Sequence, residues 1–563
     1  MLEASATKRD AKGYLQKYAA KKPNGKEAAK PDTEKEPQVV TTQSGPENVA
    51  VVMLREPQNL QDATIDGVAK TLAQLRSLGL LSTVVVDCGP NADRDLFEDE
   101  SLRLCEAIES YGRPGAKLAR DLFLGTASRD GKETGVVVTD GRQLHGSFEH
   151  DLIVVTPSLA SPDELTTPRP INSYDTVLAL TKFLTGSQAD STDSKSMPQK
   201  TSVERIILLD SLGGTPMAGR PGVCHRFINL QQEYDLLLSH LLGPSGSSLA
   251  DNAQEAPSNN HAANLRLAMA TLSQLPATAS ALITTPFAAA NTGGPVASAP
   301  ALTPTESSWS FGGMVTTRTK QNPLLHNLLT DKPMYSSSLP FQRISDGGYR
   351  LDTSDSTAAT LVKQGMPLKI YPDPRVQPWQ PPRPGGPRPR LTDTCVDLPR
   401  LVHLIDDSFG RKLDVEDYLN RVNENLAGII ITGEYEGGAI LTWEKPEGLT
   451  EEEAYEQGRY VPYLDKFAVL KSRQGSGGVA DIVFNAMVRD CFPDGVCWRS
   501  RKTNPVNKWY FERSTGTNKL SDSNWTMFWT TLGLNGKEQK LLDYESVCRE
   551  VQPSWADNKH IVD

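Results

Sequence analysis

YLDKFAVLKSRQGSGGVADIVFNAMVRDCFPDGVCWRSRKTNPVNKWYFERSTG, residues 463–516, is the stretch on which the reading of this chain turns. It reads as strand, glycine-rich turn, helix, strand, loop and aromatic strand. Residues 463–470 form an apolar run of strand-like composition. Gly475, Gly477 and Gly478 then crowd into four positions. Val479, Ile482, Val483, Ala486 and Met487 follow at the spacing of one helical face. A glycine turn that feeds a helix N-terminus aims unpaired N–H groups, and the positive end of the helix dipole, at whatever lies ahead. Such a cradle suits the diphosphate of a cofactor. The plainer alternative is a turn that serves only close packing.

The strand WRSR narrows the choice. Side chains alternate along a strand, so Arg499 and Arg501 share one face while Trp498 and Ser500 take the other. Two adjacent guanidiniums repel unless carboxylates sit between them, and each binds such a group through two parallel hydrogen bonds. A small dicarboxylate is a fitting guest; a solvated, charged edge strand is the plain alternative.

YLDKFAV, RQGSGG, WRSR, TNPVN and WYF occur here in the order found in the acetyltransferase domain of vertebrate-type and fungal N-acetylglutamate synthases, a branch of the GNAT superfamily, which this segment closely resembles. One position departs. The usual loop is Gln/Arg-x-x-Gly-x-Gly/Ala, and counting from Gln474 puts Gly477 in place but Val479 last. The resemblance implies acetyl-CoA as co-substrate and no metal. Its pantetheine arm would pair with the strand Lys466, Phe467, Ala468, Val469 and Leu470, and its diphosphate would lie on Gln474, Gly475, Ser476, Gly477 and Gly478. L-glutamate would be held by Arg499, Arg501, Asn504 and a lysine, for which Lys412 is the candidate, with Arg411 as its neighbouring alternative. Tyr510 would protonate the departing thiolate; on an aromatic strand it faces away from Trp509 and Phe511. Tyr463 would help to relay a proton from the amine. Holding both substrates side by side makes the transfer nearly unimolecular, and a strand N–H can stabilise the charge growing on the thioester oxygen. Deprotonation through water serves without a dedicated base, with Asp465 as the alternative. For Tyr510 the plain reading is a core tyrosine, and for Asp465 a surface acid. Trp525, Phe528 and Trp529 follow helical spacing and read as core.

At 563 residues the chain calls for two or more domains. A hydrophobic share of 38% and a mean hydropathy of −0.41 describe a soluble protein with polar inserts and no membrane span. The net charge of −10 gives no sign of a nucleic-acid partner. Seven scattered cysteines and eight scattered histidines match no zinc spacing and no disulfide framework.

Taken in order, residues 1–45 are lysine-rich, with eight basic and three acidic side chains in the first thirty, and read as disordered. Arginine is scarce there, so a mitochondrial presequence is not evident, although the resemblance implies the mitochondrial matrix. From Val49, strands (VAVVML, TVVVD at 83–87, GVVV, LIVV, RIILLD) alternate with helices, including one spanning 100–123. This is the signature of α/β architecture, a mostly parallel sheet covered by helices. The stretch 46–370 resembles the amino-acid kinase fold, most closely in NPLLHNLLTDKP and TAATLVKQGMPLKI. A working kinase of that fold needs glycines and a lysine after the first strand; here the position reads MLREPQNL, and SLGGTP lacks the P-loop spacing. The domain therefore reads as a kinase relic, and the resemblance implies that it binds L-arginine as an inhibitor. Glu233, Tyr234 and Lys363 are possible contributors, each with a plain structural alternative. Residues 371–394, rich in proline, read as a semi-rigid spacer, and 395–563 as the GNAT domain: helix, helix, hairpin, then the opening stretch.

The function implied is acetyl transfer to the α-amine of glutamate, the first step of ornithine and arginine synthesis, by a homo-oligomer, with a tetramer as the family expectation. Three rivals stand beside it: a weakly active regulatory partner of acetylglutamate kinase, a bifunctional synthase–kinase, and a GNAT enzyme acting on another amine.

Overall fold

The computed structural model describes residues 47–127, 133–139, 141–162, 167–187, 201–218, 222–243, 257–290, 309–310, 324–325, 327, 331, 333, 359–474, 478–534 and 538–557. The chain divides into two units: Met1–Val296, Lys320–Met334 and Asp352–Gln364 form the first, and Ala297–Thr319, Tyr335–Leu351 and Gly365–Asp563 the second.

The first unit is built on an eight-stranded sheet in the order Phe227–Asn229, Ala359–Lys363, Ser280–Thr284, Thr201–Leu209, Glu47–Arg55, Leu81–Asp87, Ile153–Pro157, Ala116–Leu118. Its pairings are parallel except between Ser280–Thr284 and Ala359–Lys363. The run VAVVML is apolar throughout because both of its faces are covered: Val49, Val51 and Met53 pack into one core, Ala50, Val52 and Leu54 into the other. The mixed α/β architecture is thus as expected. Two details differ. GVVV lies in a separate four-stranded sheet, antiparallel to Phe123–Ala127. The helix expected over 100–123 ends as Arg94–Glu109, because Gly112 at φ 94° and Pro114 interrupt it, and the apolar residues beyond belong to strands. The NPLLHNLLTDKP stretch lies largely outside the described residues.

The second unit is a sheet in the order Trp309–Ser310, Gly516–Lys519, Trp525–Trp529, Cys497–Arg501, Val461–Val469, Gly437–Glu444, Leu426–Thr432, Leu368–Tyr371. All its neighbours are antiparallel except Val461–Val469 with Cys497–Arg501. The helices Leu398–Phe409 and Val415–Asn425 and the hairpin appear where the apolar periodicity puts them.

MPLKI, read as the close of the first domain, supplies instead the edge strand Leu368–Tyr371 of this second sheet. The proline-rich stretch after it is no free spacer. The Trp379 indole donates to Pro372 O at 2.8 Å and meets the Phe492 ring edge-on, and Leu391 is fully buried. Gly428 makes room for this, since a Cβ there would come within 2.3 Å of the Trp379 ring. Proline fixes an extended backbone, and the tryptophan and leucine within it give that backbone something to dock with.

Candidate active site

The site begins with one parallel pair of strands. Among the described residues, the register of Val461–Val469 with Cys497–Arg501 is a single pair, Tyr463 opposite Cys497. Both strands run on past it, while the other edge of Val461–Val469 stays paired to Gly437–Glu444 as far as Val469. One backbone edge from Leu464 onward is therefore left to other partners. At its far end, helix Leu398–Phe409 supplies two: Ser408 Oγ accepts the Val469 N–H at 3.1 Å, and Asp407 accepts the Lys471 N–H at 2.7 Å. Gln474 reaches back to Val469 O at 3.1 Å.

Behind the opening, Gly478 caps helix Val479–Ala486 at φ 70°, a conformation glycine adopts without strain. Gly475, Ser476 and Gly477 lie outside the described residues. Val479, the departure from the usual loop, is buried and fits because its neighbour is Gly437: a Cβ there would come within 2.4 Å of Val479 Cγ1.

WYF is not an aromatic strand. It lies on the helix Asn507–Arg513, started by a turn in which Asn504 Oδ1 accepts the Val506 N–H at 3.0 Å. The Asn507 side chain donates to Arg501 O at 2.7 Å. The β-propensity of three aromatics loses to this turn chemistry. Tyr510 consequently does not face away from its neighbours; its ring packs against Trp498, Trp509 and Phe528. Burial alone pushes its phenol pKa above the ordinary tyrosine value. Trp525, Phe528 and Trp529 likewise lie on a strand, Trp525–Trp529, and not on a helix.

Arg499 and Arg501 share a face as expected. Arg499 Nη1 donates to Cys548 O at 2.6 Å, and Nη2 donates to Val551 O. The guanidinium thus sits at the carbonyl end of helix Gln539–Glu550, where the helix dipole favours a cation. Its Cζ lies 4.1 Å from the Trp525 ring centroid, and that of Arg501 lies 5.9 Å from the same ring. Two carbonyls and a π face thus lie against the Arg499 guanidinium. Asn504 donates to Ser500 Oγ at 2.8 Å, so its amide shapes the turn after the strand. Lys412 is largely exposed and paired with Asp406 at 2.8 Å. Tyr463 is buried, and burial, opposed by Arg499, drives its pKa well above the ordinary value. The ring of Tyr510 and the two arginines lie on opposite faces of the strand Cys497–Arg501, since Trp498 points to the tyrosine side.

Asp465 is neither a surface acid nor a free base. Its carboxylate binds Arg421 at 2.7 Å and Lys466 at 3.0 Å, and accepts the Tyr418 hydroxyl at 2.7 Å. Burial pulls its pKa upward, but Arg421, Lys466 and these hydrogen bonds outweigh burial and hold it well below the carboxylate range. The Lys466 side chain is therefore committed to Asp465 and to the Tyr418 ring, and burial, against the pull of Asp465, lowers its pKa. Asp465→Asn should destabilise the second unit by about 3–5 kcal/mol, because it leaves buried cations unpaired. Because the folded pKa lies below the unfolded value of about 4, the carboxylate's contribution is complete above that pH and fades below it. Denaturant unfolding checks both; wild-type stability in the variant would contradict the argument.

Arg421 and Ser408 were not singled out from sequence, and Trp525 was read only as core. Each touches a predicted site residue through a contact 24 to 61 positions away, from Trp525 to Arg501 and from Ser408 to Val469, which local periodicity does not reveal.

In the first unit, the strand end that would carry a kinase's lysine holds Arg55, paired with Asp210 at 2.7 Å and lying 3.7 Å from Asp87. Asn264 also donates to Asp210, at 2.9 Å. The glycine pair after Leu209 makes a tight turn, with Gly213 at φ 73°. A Cβ on Gly214 would come within 2.6 Å of Thr360 Oγ1. Glu233 accepts the Asn229 N–H at 2.8 Å, Tyr234 packs against the core, and Lys363 pairs with Asp331.

A parallel strand pair that stops pairing beyond one residue, with a glycine-capped helix behind it, is the frame of an acetyltransferase domain. The family described as NAT, N-acetyltransferase, of N-acetylglutamate synthase matches residues 389–549. The chain is 46% identical to the amino-acid acetyltransferase, mitochondrial, of Podospora anserina over 99% of this chain and 87% of that one. It is 47% identical to the protein of that name from Neurospora crassa over 99% and 84%. This chain belongs to the family of mitochondrial amino-acid acetyltransferases. The N-acetylglutamate synthase of Neisseria gonorrhoeae, complexed with coenzyme A and N-acetyl-glutamate, aligns with 93% of this chain and 98% of that one at 13% identity and a TM-score of 0.44.

Proposed function

We propose that the protein transfers acetyl from acetyl-CoA to the α-amine of L-glutamate, in mitochondria, as its relatives' names suggest. The observation that carries this reading is the opening between Val461–Val469 and Cys497–Arg501, with two arginines on one side and a buried tyrosine on the other. Acetyl-CoA threaded through the opening would lay its pantetheine along residues 464–470 and its diphosphate before the Gly478-capped helix. The arginine face would take the carboxylates of glutamate and bring its amine to the thioester carbon. The amine attacks that carbon and the C–S bond breaks, so the thiolate leaves as a proton is lost from nitrogen. Tyr510, kept protonated by burial, would return a proton to sulfur. Asp465, held as an ion by Arg421 and Lys466, is a poor base, which favours deprotonation through water.

The first unit, in which Arg55 and Asp210 pair across the ends of two central strands, suits a regulatory role and not phosphoryl transfer. Feedback by L-arginine through this unit, assembly into a tetramer and association with acetylglutamate kinase complete the proposal.

The test is CoA release by purified protein with acetyl-CoA and L-glutamate, with and without L-arginine. Turnover on glutamate is expected, with kcat/KM for glutamine lower by about 10²-fold, because an amide leaves a cation unpaired, and with arginine lowering the rate. No turnover on any amino acid, with retained binding to acetylglutamate kinase, would instead make the protein a regulatory partner.

A further inference from the structure

Beyond helix Gln539–Glu550 the chain runs from Arg499 to the turn that carries Arg411 and Lys412. Arg499 anchors the start of this segment through Cys548 O and Val551 O. Farther on, Trp555 forms an antiparallel bridge with Leu413. The Asp414 N–H donates to Ser554 O at 3.1 Å, and the Ala556 N–H donates to Lys412 O at 3.0 Å. Arg411 closes the end with a two-pronged ion pair to Asp557, its Nε lying 2.9 Å from Oδ2.

The side chain at the centre of this segment is a mostly buried tryptophan. Its ring lies 5.2 Å from that of Phe409, 4.9 Å from the Arg411 guanidinium carbon and 5.6 Å from Lys466 Nζ. Residues 551–557 thus tie together the strand of Arg499, the turn of Lys412 and the ammonium of Lys466. The turn 410–414 is held on one side by Asp406, which accepts the Leu413 N–H at 2.9 Å and pairs with Lys412 at 2.8 Å, and on the other by the backbone of residues 554–556.

We propose that Trp555 is a positioning residue for the amino-acid substrate: through the strap 551–557 it fixes the Lys412 turn and Lys466 relative to Arg499, and so sets the affinity for the acceptor but not for acetyl-CoA. The proposal rests on the reading that glutamate binds at Arg499, Arg501 and Lys412. It differs from that reading in giving the specificity of the site to a side chain that carries no charge.

The experiment is steady-state kinetics on the full chain, with glutamate and acetyl-CoA varied separately, for Trp555→Ala, Trp555→Phe, Asp557→Ala and Arg501→Ala, each with a thermal unfolding curve. Trp555→Ala should raise KM for glutamate about tenfold and leave KM for acetyl-CoA within about twofold, and Trp555→Phe should restore most of the loss. Asp557→Ala, which frees only the end of the strap, should raise KM for glutamate about threefold. Equal rises in both KM values, or an unchanged glutamate KM in the two strap variants, would overturn the proposal. Should Trp555→Ala fail to fold, Asp557→Ala decides alone. A rise in Arg501→Ala without one in the strap variants removes the strap and keeps the glutamate site. No rise in Arg501→Ala removes the glutamate site, and the proposal with it.

Discussion

Arg499→Ala is expected to lower kcat/KM for glutamate by about 10³-fold and to lower the melting temperature at the same time. Both effects follow from one guanidinium. It is fixed by two carbonyls and the Trp525 ring, so it presents its remaining edge in one orientation. On the proposed reading, removing it deletes a charge-assisted partner for the acceptor's carboxylate, worth about 1.5–3 kcal/mol per hydrogen bond, and it leaves the carbonyls of Cys548 and Val551 without this donor. Arg499→Lys should recover little. An ammonium cannot bridge two carbonyls and also lie flat against an indole. Initial rates with each substrate varied, together with a melting curve, separate the two effects. If the melting temperature falls while kcat/KM holds, Arg499 is only a helix cap.

Tyr510→Phe should leave both KM values near those of the wild type and lower kcat by about a hundredfold, the lower range for a general acid. The ring packing against Trp498 and Phe528 survives the change, since only a hydroxyl is lost. The pH dependence sharpens the test. Burial raises the phenol pKa, so the acid form persists at every pH below the ordinary tyrosine value of about 10. The wild-type kcat profile should therefore show no alkaline fall due to this group between about pH 6 and 9, and the variant's profile should run parallel below it. An unchanged kcat would leave Tyr510 as a core residue and assign the proton on sulfur to water.

The legible part of this site is the part made by neighbours in the chain. The alternation in WRSR put Arg499 and Arg501 on one face, as observed. The glycines before Val479 marked a helix start, and Gly478 is indeed its cap. Local signals also misled. WYF looked like a strand because aromatics favour pleated surfaces, yet the Asn504 turn beginning at TNPVN starts a helix there. Trp525, Phe528 and Trp529 looked helical because three residues cannot by themselves tell a period of 3.6 from one of 2. In the strand, Trp525 and Trp529 face the arginine side while Phe528 packs on the other.

By itself the sequence determined the α/β rhythm of the first unit and the helix–helix–hairpin opening of the second, because helix and strand periods are written over a few consecutive residues, while the acetyltransferase frame came from resemblance. Only the tertiary structure decided what the charged groups do. Arg499 takes its carbonyls from 49 and 52 positions away, and Asp465 meets Arg421 across 44. The proline-rich stretch became a docked cover because Trp379 found Phe492. Burial and partner set both the charge state and the orientation of an ionisable side chain, and partners brought together by chain folding leave no periodic trace in the sequence.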